Sequence, residues 1–498
     1  MSYLGIDIGT SGCKAAVFNQ DGEQLALSNR DYNVIFSDGN TAELDSDEVI
    51  NKCFEVIKEC ILRVEPDSVK GLAISSQGEA FTAIGFNNET LCNAMVSSDL
   101  RSQTSLNYLL NKIGEKKLYQ ITGHTAHPLF TVFKLLWLKE NRPEIWNKTK
   151  YFFCFEDLLQ FRLGLKPAIS WSLAGRTMMF DVRKHDWDPG ILQEIGISRE
   201  QLAKPLPSGS IVGKVDVNIA NKLGLPDNTL VISGGHDQPC SALGSGIVEE
   251  GTAMYAAGTV ECITPVFNKP VFTDELRKNN LCTYNYTIKD KFTTVAFSLT
   301  EGNILKWFRD EFGMQEVAEA RRSGLNVYEL LLRDIGKKPS ELLVLPYFTS
   351  SGTPYFDTKT RGIITGLRLS THRSDFIRAL LEGVAFEMRL NLEILQNSGC
   401  AINELRLVGG GSKSINWTQL KADVIDKKIT LLNITEAGCC GAAMLACSAD
   451  TTESLRELAV KWVKPLTTVY PQAEYKKLYK EKFQQYNNLY KTFKNISV

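Results

Sequence analysis

Two strands joined by a Gly-Thr turn occur twice in the sequence, once at the N-terminus and once just past the middle. Residues 3–18 alternate around Gly9-Thr10, and residues 252–265 alternate around Gly258-Thr259. Such turns can recur by chance, but 498 residues exceed the roughly 250–300 at which a single core stops growing. The recurrence therefore favours two related α/β halves, each with a mixed sheet and helices on both faces.

Apolar patterns elsewhere predict buried strands that alternate with amphipathic helices. Short apolar runs predict strands at 71–75, 230–235 and 405–408. Apolar residues at helical spacing predict a helix over 46–64 and a long helix from Ser374. The C-terminal segment is polar and rich in Lys and Tyr, which indicates a surface helix. Polar residues at the ends of the strands are then the candidates for chemistry.

Composition and charge narrow the class of partner. The formal net charge of −1 gives no global field that would attract nucleic acid or an anionic membrane. No segment approaches the roughly 20 apolar residues that span a bilayer, and the N-terminus resembles a strand rather than a signal peptide. The twelve cysteines show no C-x-x-C spacing, so we expect free thiols in a reducing compartment. The expected location is the cytoplasm, without a nucleic-acid or membrane partner.

The first Gly-Thr turn has the residue types that a phosphate and its metal need. In Asp7-Ile-Gly-Thr-Ser-Gly-Cys-Lys14 the glycines let a ligand approach the backbone, and the hydroxyls and amides can bind phosphate. The lysine adds a cation, and the aspartate could hold a hydrated Mg²⁺. An ordinary glycine-rich hairpin turn explains the same residues.

A carboxylate follows the strand predicted at 230–235, within Ser233-Gly-Gly-His-Asp-Gln238. Asp237 could take the proton of a substrate hydroxyl as that hydroxyl attacks a γ-phosphate. His236 and Gln238 could bind neighbouring hydroxyls. The alternative is an aspartate that only caps a turn.

Gln77 and Glu79 follow the strand predicted at 71–75 and would project at the same sheet edge. A planar amide and a carboxylate suit vicinal sugar hydroxyls, although a solvated turn explains them equally well.

The sequence lacks the patterns of other common nucleotide and metal sites. Gly209-Ser-Ile-Val-Gly-Lys has one spacer too few for a Walker A loop, and no dinucleotide-binding glycine pattern joins a strand to a helix. The remaining histidines show no i, i+4 pairing, so they do not indicate a metal site.

Taken together and in order, these segments resemble the FGGY carbohydrate kinases, the family of glycerol kinase and xylulokinase within the actin-like ATPase superfamily. The resemblance covers nearly the whole chain. The matching segments are 7–12, 130–141, 233–238, Gly258-Thr259, 345–367 and 409–416. It implies two actin-like (ribonuclease H-like) ATPase domains with an active-site cleft between them. The expected boundaries are 1–248 for the sugar-binding domain, 249–455 for the nucleotide-binding domain and 456–498 for a helical extension packed on the latter.

The resemblance also implies a role for each matching position, with ATP and Mg²⁺ as cofactors. Asp237 would be the general base and Asp7 the residue that organises Mg²⁺ through water. The substrate positions would be Gln77, Gly78, Glu79, Asp99, His236 and Gln238. The nucleotide positions would be Thr10, Ser11, Gly12, Lys14, Thr259, Gly302, Lys306, Gly410, Gly411 and Ser414.

Departures from the family pattern bear on the substrate. Glycerol kinases have an Arg at the position of Gly78 and a Trp at that of Ser97, and xylulokinases have Met-His where this chain has Gly78-Glu79. We therefore expect ATP-dependent phosphorylation of a small sugar, a ketose such as xylulose or a related ketopentose or deoxyketose. The alternatives are a polyol kinase of the glycerol or erythritol type and a non-catalytic sugar or nucleotide sensor. The partners would be the sugar and ATP, and a homodimer is left open.

Overall fold

The computed structural model contains two large β-sheets, one in each half of the chain. It describes residues 1–37, 41–65, 68–300, 302–333, 335–336 and 338–494. Within these ranges, one apolar core lies mainly in the N-terminal half and a second in the C-terminal half. A third apolar cluster combines residues of both halves.

The strands are short, and most belong to the two large sheets. Those of the N-terminal half are β1 (Ser2–Ile8), β2 (Gly12–Asn19), β3 (Gln24–Asp31), β4 (Glu43–Leu44), β5 (Val69–Ser76), β6 (Thr82–Gly85), β7 (Ala94–Met95), β8 (Thr149–Phe153), β9 (Ala168–Ser170), β10 (Phe180–Asp181), β11 (Asp186–Trp187), β12 (Lys204–Leu206), β13 (Ile211–Lys214) and β14 (Leu230–His236). Those of the C-terminal half are β15 (Gly251–Ala257), β16 (Glu261–Phe267), β17 (Tyr284–Asn285), β18 (Phe292–Thr293), β19 (Ala296–Ser298), β20 (Leu343–Leu345), β21 (Ile363–Thr365), β22 (Ile402–Val408), β23 (Lys428–Leu432) and β24 (Pro465–Val469).

The two large sheets have the same strand order and the same strand directions. In the first sheet the order is β13-β14-β5-β1-β2-β3, with β14, β5 and β1 parallel and the other neighbours antiparallel. In the second sheet the path β24-β23-β22-β15-β16-β19 repeats this arrangement. The two Gly-Thr turns join the equivalent hairpins β1–β2 and β15–β16. The predicted pair of α/β halves with mixed sheets is therefore confirmed.

Helices cover these sheets and connect their strands. In chain order they are α1 (Ser46–Ile61), α2 (Gln103–Ile113), α3 (Glu115–Thr122), α4 (Thr131–Asn141), α5 (Pro143–Trp146), α6 (Phe155–Arg162), α7 (Trp171–Gly175), α8 (Pro189–Ile195), α9 (Val217–Leu223), α10 (Asp237–Gly244), α11 (Asp274–Lys278), α12 (Gly302–Phe312), α13 (Met314–Ser323), α14 (Val327–Arg333), α15 (Arg373–Asn397), α16 (Ile415–Ile425), α17 (Ala437–Asp450), α18 (Leu455–Trp462) and α19 (Ala473–Phe493). In the described ranges, no helix is both long enough and apolar enough to cross a membrane.

The sequence patterns locate the main elements to within a few residues. The helix predicted over 46–64 is α1, and Asp45 caps it by accepting hydrogen bonds from two backbone amides of its first turn. The strands predicted at 71–75 and 230–235 are β5 and β14, and the long helix predicted from Ser374 is α15. Agreement is good here because each element has a periodic apolar pattern.

The C-terminal extension is more than a surface helix. Helix α19 packs against α15, where the buried carboxylate of Glu382 accepts hydrogen bonds from Arg378 Nε at 2.9 Å, Lys482 Nζ at 2.5 Å and the Tyr479 hydroxyl at 2.9 Å. The extension also supplies α18 and the edge strand β24 of the second sheet. Its polar residues therefore hold it to the C-terminal half, and residues 495–498 lie outside the described part of the chain.

Helix α17 follows the last parallel strand of the C-terminal sheet but packs on β1 and β5 of the N-terminal sheet, and beside α10. Glycines bring the α10 and α17 backbones into contact. A Cβ on Gly441 would lie 1.9 Å from the carbonyl oxygen of Cys240, and a Cβ on Gly244 would lie 2.0 Å from that of Ala437. This contact, surrounded by the third apolar cluster, joins the two halves.

The Gly441→Ala substitution tests this contact, because helix propensity predicts that the protein becomes more stable and the close contact predicts that it becomes less stable. Within a helix, alanine is favoured over glycine by about 1 kcal/mol. At position 441 the added methyl group would overlap a backbone carbonyl, and overpacking of this kind costs about 1–3 kcal/mol or more. We expect a melting temperature several degrees lower, measured by calorimetry. Gly175→Ala is the control, since its Cβ would meet Tyr284 at an ordinary 3.4 Å; an unchanged or higher melting temperature for Gly441→Ala contradicts the prediction.

Candidate active site

A cavity of about 420 Å³ lies between the two halves. From the N-terminal half it is lined by seven of the residues singled out in the sequence: Thr10, Gln77, Gly78, Glu79, His236, Asp237 and Gln238. The C-terminal half closes it with residues that include Cys262, Asn280, Phe297 and Ser351. The ends of β1, β5 and β14 thus meet at one edge of the sheet and face the opposite domain.

The first Gly-Thr turn is held in place by Gln77. The side-chain amide of Gln77 donates to Gly9 O at 2.8 Å, and its oxygen accepts from Thr10 Oγ1 at 3.1 Å. Tyr32 donates to the same Gly9 carbonyl at 2.6 Å. Both ends of the amide therefore bind the turn, so the structure gives Gln77 a supporting position next to the cavity rather than the free amide expected of a sugar ligand.

Asp7 lies at the end of β1, beside the start of α17. Its Oδ1 accepts a hydrogen bond from Ser75 Oγ at 2.6 Å. A Cβ on Gly438 would lie 2.8 Å from the Asp7 carboxyl carbon, so the glycine makes room for this carboxylate. Burial raises the pKa of Asp7, and the Ser75 hydrogen bond opposes that rise. A carboxylate that is costly to bury and has an oxygen to spare is a good partner for a hydrated cation.

Asp237 is the first residue of α10 and its side chain is 28% exposed. Burial, together with the nearby carboxylates of Asp7 and Glu79, raises its pKa to about 7. Its Oδ1 lies 3.1 Å from His236 Nε2, and His236 Nδ1 lies 2.9 Å from the Tyr284 hydroxyl. Burial and the charge of Arg176 hold the pKa of His236 well below its usual value, so the imidazole is neutral. Asp237 can therefore exchange a proton near neutral pH.

An arginine that the sequence motifs did not indicate also lines this cavity. Arg176 Nε donates to Glu79 Oε1 at 2.5 Å, and Arg176 Nη1 lies 3.1 Å from His124 Nε2. Burial and the Arg176 charge hold the pKa of His124 well below its usual value. His124 and Arg176 lie outside every motif, and only the three-dimensional structure places them in the cavity wall, with Arg176 joining Glu79 and His124.

The loop that contains Glu79 is held from below by Lys134, in helix α4. Lys134 is completely buried and donates to three backbone carbonyls: Glu79 at 3.3 Å, Met95 at 3.2 Å and Val96 at 2.7 Å. Burial lowers its pKa to about 8. Glu79 itself has a φ of 64°, which a non-glycine residue seldom adopts. The segment 130–141 noted in the sequence thus supports the cavity loops from beneath.

Asp99 does not line the cavity, which corrects its expected role as a substrate ligand. It is fully buried, and its carboxylate accepts from the backbone amide of Ala42 at 2.8 Å and from Arg101 Nη2 at 2.6 Å. With its oxygens engaged, Asp99 instead fixes the loop whose residues Ser97 and Ser98 do line the cavity. The resemblance to the family suggested contact with the substrate, but the carboxylate is directed to Ala42 and Arg101.

A second cavity, of about 610 Å³, lies within the C-terminal half. It brings together six residues predicted to bind nucleotide, Thr259, Gly302, Lys306, Gly410, Gly411 and Ser414, with Gly258, Tyr328 and Trp417 beside them. Cys262 lines the first cavity and Thr259 the second, so the β15–β16 hairpin borders both.

Close backbone packing shapes this second cavity. A Cβ on Gly302 would lie 2.5 Å from Gly258 O, so helix α12 starts directly against the second Gly-Thr turn. Behind the turn, Glu261 and Lys421 form a completely buried ion pair at 2.7 Å that joins β16 to α16. Loss of either residue would destabilise the fold, because it would leave an unpaired charge buried in the protein.

Three residues predicted to contact phosphate do not line either cavity in the described part of the chain. They are Ser11, Gly12 and Lys14. Gly12 already belongs to β2, where a Cβ would lie 2.7 Å from Arg30 O. Lys14 Nζ forms an ion pair with Glu436 at 2.7 Å. In this conformation, Thr10 is the member of the first turn that faces the cavity.

Sequence comparisons identify both halves of the chain. The model described as the FGGY family of carbohydrate kinases, N-terminal domain, matches residues 2–244, and the corresponding C-terminal domain matches residues 253–449. Xylulose kinase of Bacillus subtilis (strain 168) is 28% identical over 501 aligned residues, covering 100% of this chain and 98% of that protein. Gluconokinase of the same organism is 27% identical over 447 residues, covering 89% and 86%.

Solved structures show the same fold. The ligand-bound xylulose kinase from Lactobacillus acidophilus superposes with a TM-score of 0.90 at 22% identity, covering 99% of this chain and 98% of that one. Plasmodium falciparum glycerol kinase with ADP gives a TM-score of 0.87 at 22% identity, covering 100% and 99%. The two-domain architecture described above is therefore shared with proteins whose sequences have diverged far.

Proposed function

Because the chain belongs to the FGGY family of carbohydrate kinases, we propose that it transfers the γ-phosphoryl group of ATP to a hydroxyl of a neutral sugar. The substrate we favour is a ketose, such as xylulose or a related ketopentose or deoxyketose. The observation on which this proposal rests is the position of Asp237. It is a carboxylate with a pKa of about 7, in a cavity between the two domains that also contains Thr10 of the first Gly-Thr turn.

In the proposed reaction, Asp237 accepts the proton of the sugar hydroxyl while the hydroxyl oxygen attacks the γ-phosphorus. The bond between that phosphorus and the bridging oxygen of ADP breaks, and ADP leaves. A base with a pKa near the working pH is deprotonated often enough to act and basic enough to take the proton. Most of the acceleration in phosphoryl transfer comes from positioning and charge neutralisation, so closure of the domains around both substrates completes the site.

The second cavity is the proposed ATP site. Gly410, Gly411 and Ser414 would hold the adenosine end, while Thr259 and Lys306 would face the phosphates. Because the β15–β16 hairpin borders both cavities, an ATP bound there can extend its terminal phosphate towards Asp237. Domain closure would bring Ser11, Gly12 and Lys14 nearer to the phosphates, and that remains part of the proposal.

Asp7 fits the proposed position for Mg²⁺. Mg²⁺ in kinases keeps several waters and binds one or two carboxylates together with substrate phosphates. Among the described residues no group of three or more His, Cys, Asp or Glu could hold a metal by itself, and a single carboxylate is all that such an ion requires of the protein. The bound ion would neutralise charge on the β- and γ-phosphates. Asp7 would orient the water shell of the ion and keep it near the first Gly-Thr turn.

The charges of the first cavity favour a neutral substrate over a sugar acid. Glu79 and Asp237 line the cavity and Asp7 acts electrostatically on Asp237, whereas Arg176 is the guanidinium that faces them. Arg176 is already paired with Glu79. A sugar carboxylate would add a further negative charge to a site of low dielectric constant. For this reason we do not propose gluconate as the substrate, although one relative is a gluconokinase.

Two alternatives are less well supported. A polyol such as glycerol would leave much of a cavity of about 420 Å³ unfilled, and the residues at positions 78 and 97, Gly and Ser, are small. A non-catalytic sensor on the same fold would not need a carboxylate with a pKa of about 7.

We also propose a cytoplasmic location, because all twelve cysteines are free thiols in the structure.

A substrate panel is the first test. With purified protein, MgATP and a coupled assay for ADP release, we expect ketopentoses or deoxyketoses to give the highest kcat/KM. Gluconate should be at least about tenfold poorer because of the added buried charge. Preference for gluconate would contradict the assignment of a neutral substrate, and ADP release that no sugar stimulates would contradict the kinase proposal.

Replacement of the base is the second test. We expect Asp237→Ala and Asp237→Asn to lose at least about 100-fold in kcat, the lower end of what a general base contributes. ATP should bind with unchanged affinity, because Asp237 does not line the second cavity. Isothermal titration with a non-hydrolysable ATP analogue checks the binding. A variant that retains more than about a tenth of the rate would show that Asp237 is not the base.

The pKa of Asp237 also predicts a pH profile. The base acts when deprotonated, so kcat/KM should fall about tenfold for each pH unit below a limb near pH 7 and reach a plateau above it. A bound divalent cation would move this limb to lower pH, because positive charge stabilises the carboxylate. Steady-state rates between pH 5 and 9 check the profile. A kcat/KM for the sugar that stays constant from about pH 5 to pH 9 at saturating MgATP would contradict the assignment.

A further inference from the structure

The position of Arg176 in the first cavity goes beyond what any sequence motif indicated. It follows the short helix α7, and its side chain is 13% exposed. Its guanidinium lies between two aromatic rings, with Phe130 at 5.1 Å and Tyr284 at 5.5 Å. Phe130 belongs to the N-terminal half and Tyr284 to the C-terminal half, so both domains fix the plane of the guanidinium. Its N–H groups are thus directed within a defined plane.

Part of the donor capacity of Arg176 is committed to the protein. Nε donates to Glu79 Oε1 at 2.5 Å, and Nη2 contacts the same oxygen. Nη1 meets His124 Nε2 at 3.1 Å, and His124 Nδ1 lies 2.7 Å from Thr122 O. A carbonyl can only accept, so the His124 proton is on Nδ1 and Nε2 accepts from Arg176. Of the five N–H groups of the guanidinium, two then have no partner among the described residues.

Gly78 lets Arg176 and His236 pack closely beside it in the wall of the cavity. A Cβ on Gly78 would lie 3.3 Å from Arg176 Cβ and 3.1 Å from His236 Nε2. A larger residue at position 78 would therefore crowd Arg176 and His236, both of which line the cavity. Arg176 and the proposed base Asp237 line the same cavity, so the two N–H groups without a partner describe a place there for a ligand with hydrogen-bond acceptors.

Resting on the kinase function proposed above, we infer that Arg176 is a specificity-determining residue for the sugar. Its two remaining N–H groups donate to two neighbouring oxygen atoms of a neutral sugar, such as the carbonyl and the adjacent hydroxyl of a ketose. A guanidinium suits this task because its donors form a rigid planar fork. Glu79 neutralises the guanidinium, so it binds oxygen atoms of a neutral sugar in preference to a carboxylate.

The experiment compares Arg176→Met and Arg176→Lys with the wild type in steady-state kinetics on the best neutral sugar. We expect Arg176→Met to raise the sugar KM at least about tenfold, since hydrogen bonds from a charged donor are lost. The KM for ATP should stay within about twofold, because the nucleotide cavity is separate. Arg176→Lys should be intermediate, since it keeps the charge and loses the planar fork. Arg183→Met is the matched control, an exposed arginine in the same segment that does not line the cavity.

Glu79→Gln gives an independent test of the charge argument. Without the Glu79 carboxylate the guanidinium charge is no longer neutralised, so the ratio of kcat/KM for gluconate to that for the neutral sugar should rise at least about tenfold. A merely structural role for Arg176 would lower the melting temperature of Arg176→Met and reduce activity on all sugars alike, without changing this ratio in Glu79→Gln.

Two outcomes overturn the inference. The first is an Arg176→Met protein that keeps its sugar KM within about threefold of the wild type, and the second is an unchanged ratio in Glu79→Gln. Failure of the proposed function has a different signature, namely a wild-type protein that phosphorylates no sugar. In that case the rise in melting temperature on adding sugar serves as the readout. The inference then requires a rise in the wild type and in Arg183→Met, and its loss in Arg176→Met.

Discussion

The contact between α10 and α17 is the physical constraint on which the rest of the candidate site depends. α10 begins with Asp237, and the second residue of α17 is Gly438, against which the Asp7 carboxylate rests. The two helices touch through backbone atoms at Gly244 and Gly441, so little freedom remains for them to slide past each other. The distance between the proposed base and the proposed metal-organising carboxylate is thus set by helix packing. A kinase needs this arrangement before either substrate arrives, because positioning accounts for most of its rate.

The sequence was sufficient to predict the two-domain α/β fold, and most of the residues it indicated line one of the two cavities. Asp237, Glu79 and Thr10 were found because each follows a periodic apolar strand, and the carboxyl ends of neighbouring parallel strands meet at one sheet edge. The Gly-Thr turns were found because glycine and a hydroxyl in a tight hairpin are distinctive. The resemblance to a known family then placed these local signals in one order along the chain.

The remaining residues could not be predicted, because their roles depend on contacts between distant segments. Arg176 lies in an unremarkable stretch after α7 and gains significance only through Glu79, 97 positions earlier in the chain. Asp99 shows the opposite case, a residue that was expected in the site and lies outside it. The sequence does not distinguish a fully buried aspartate paired with Arg101 from one that binds substrate. Gln77 was located correctly at the cavity, but the sequence could not show that its amide binds the adjacent turn. Side-chain direction and pairing are tertiary properties.

The hydrogen bonds between Gln77 and the Gly9-Thr10 turn tie that turn to the wall of the first cavity. Gln77 holds that turn with its side chain, while the next two residues, Gly78 and Glu79, form part of the wall for the sugar. In the proposed reaction, the wall that the sugar would touch at Glu79 and the Thr10 hydroxyl that would face the phosphates therefore belong to one hydrogen-bonded unit. Because both ends of the Gln77 amide bind the turn, a shift of the Gln77–Glu79 segment would also shift Thr10.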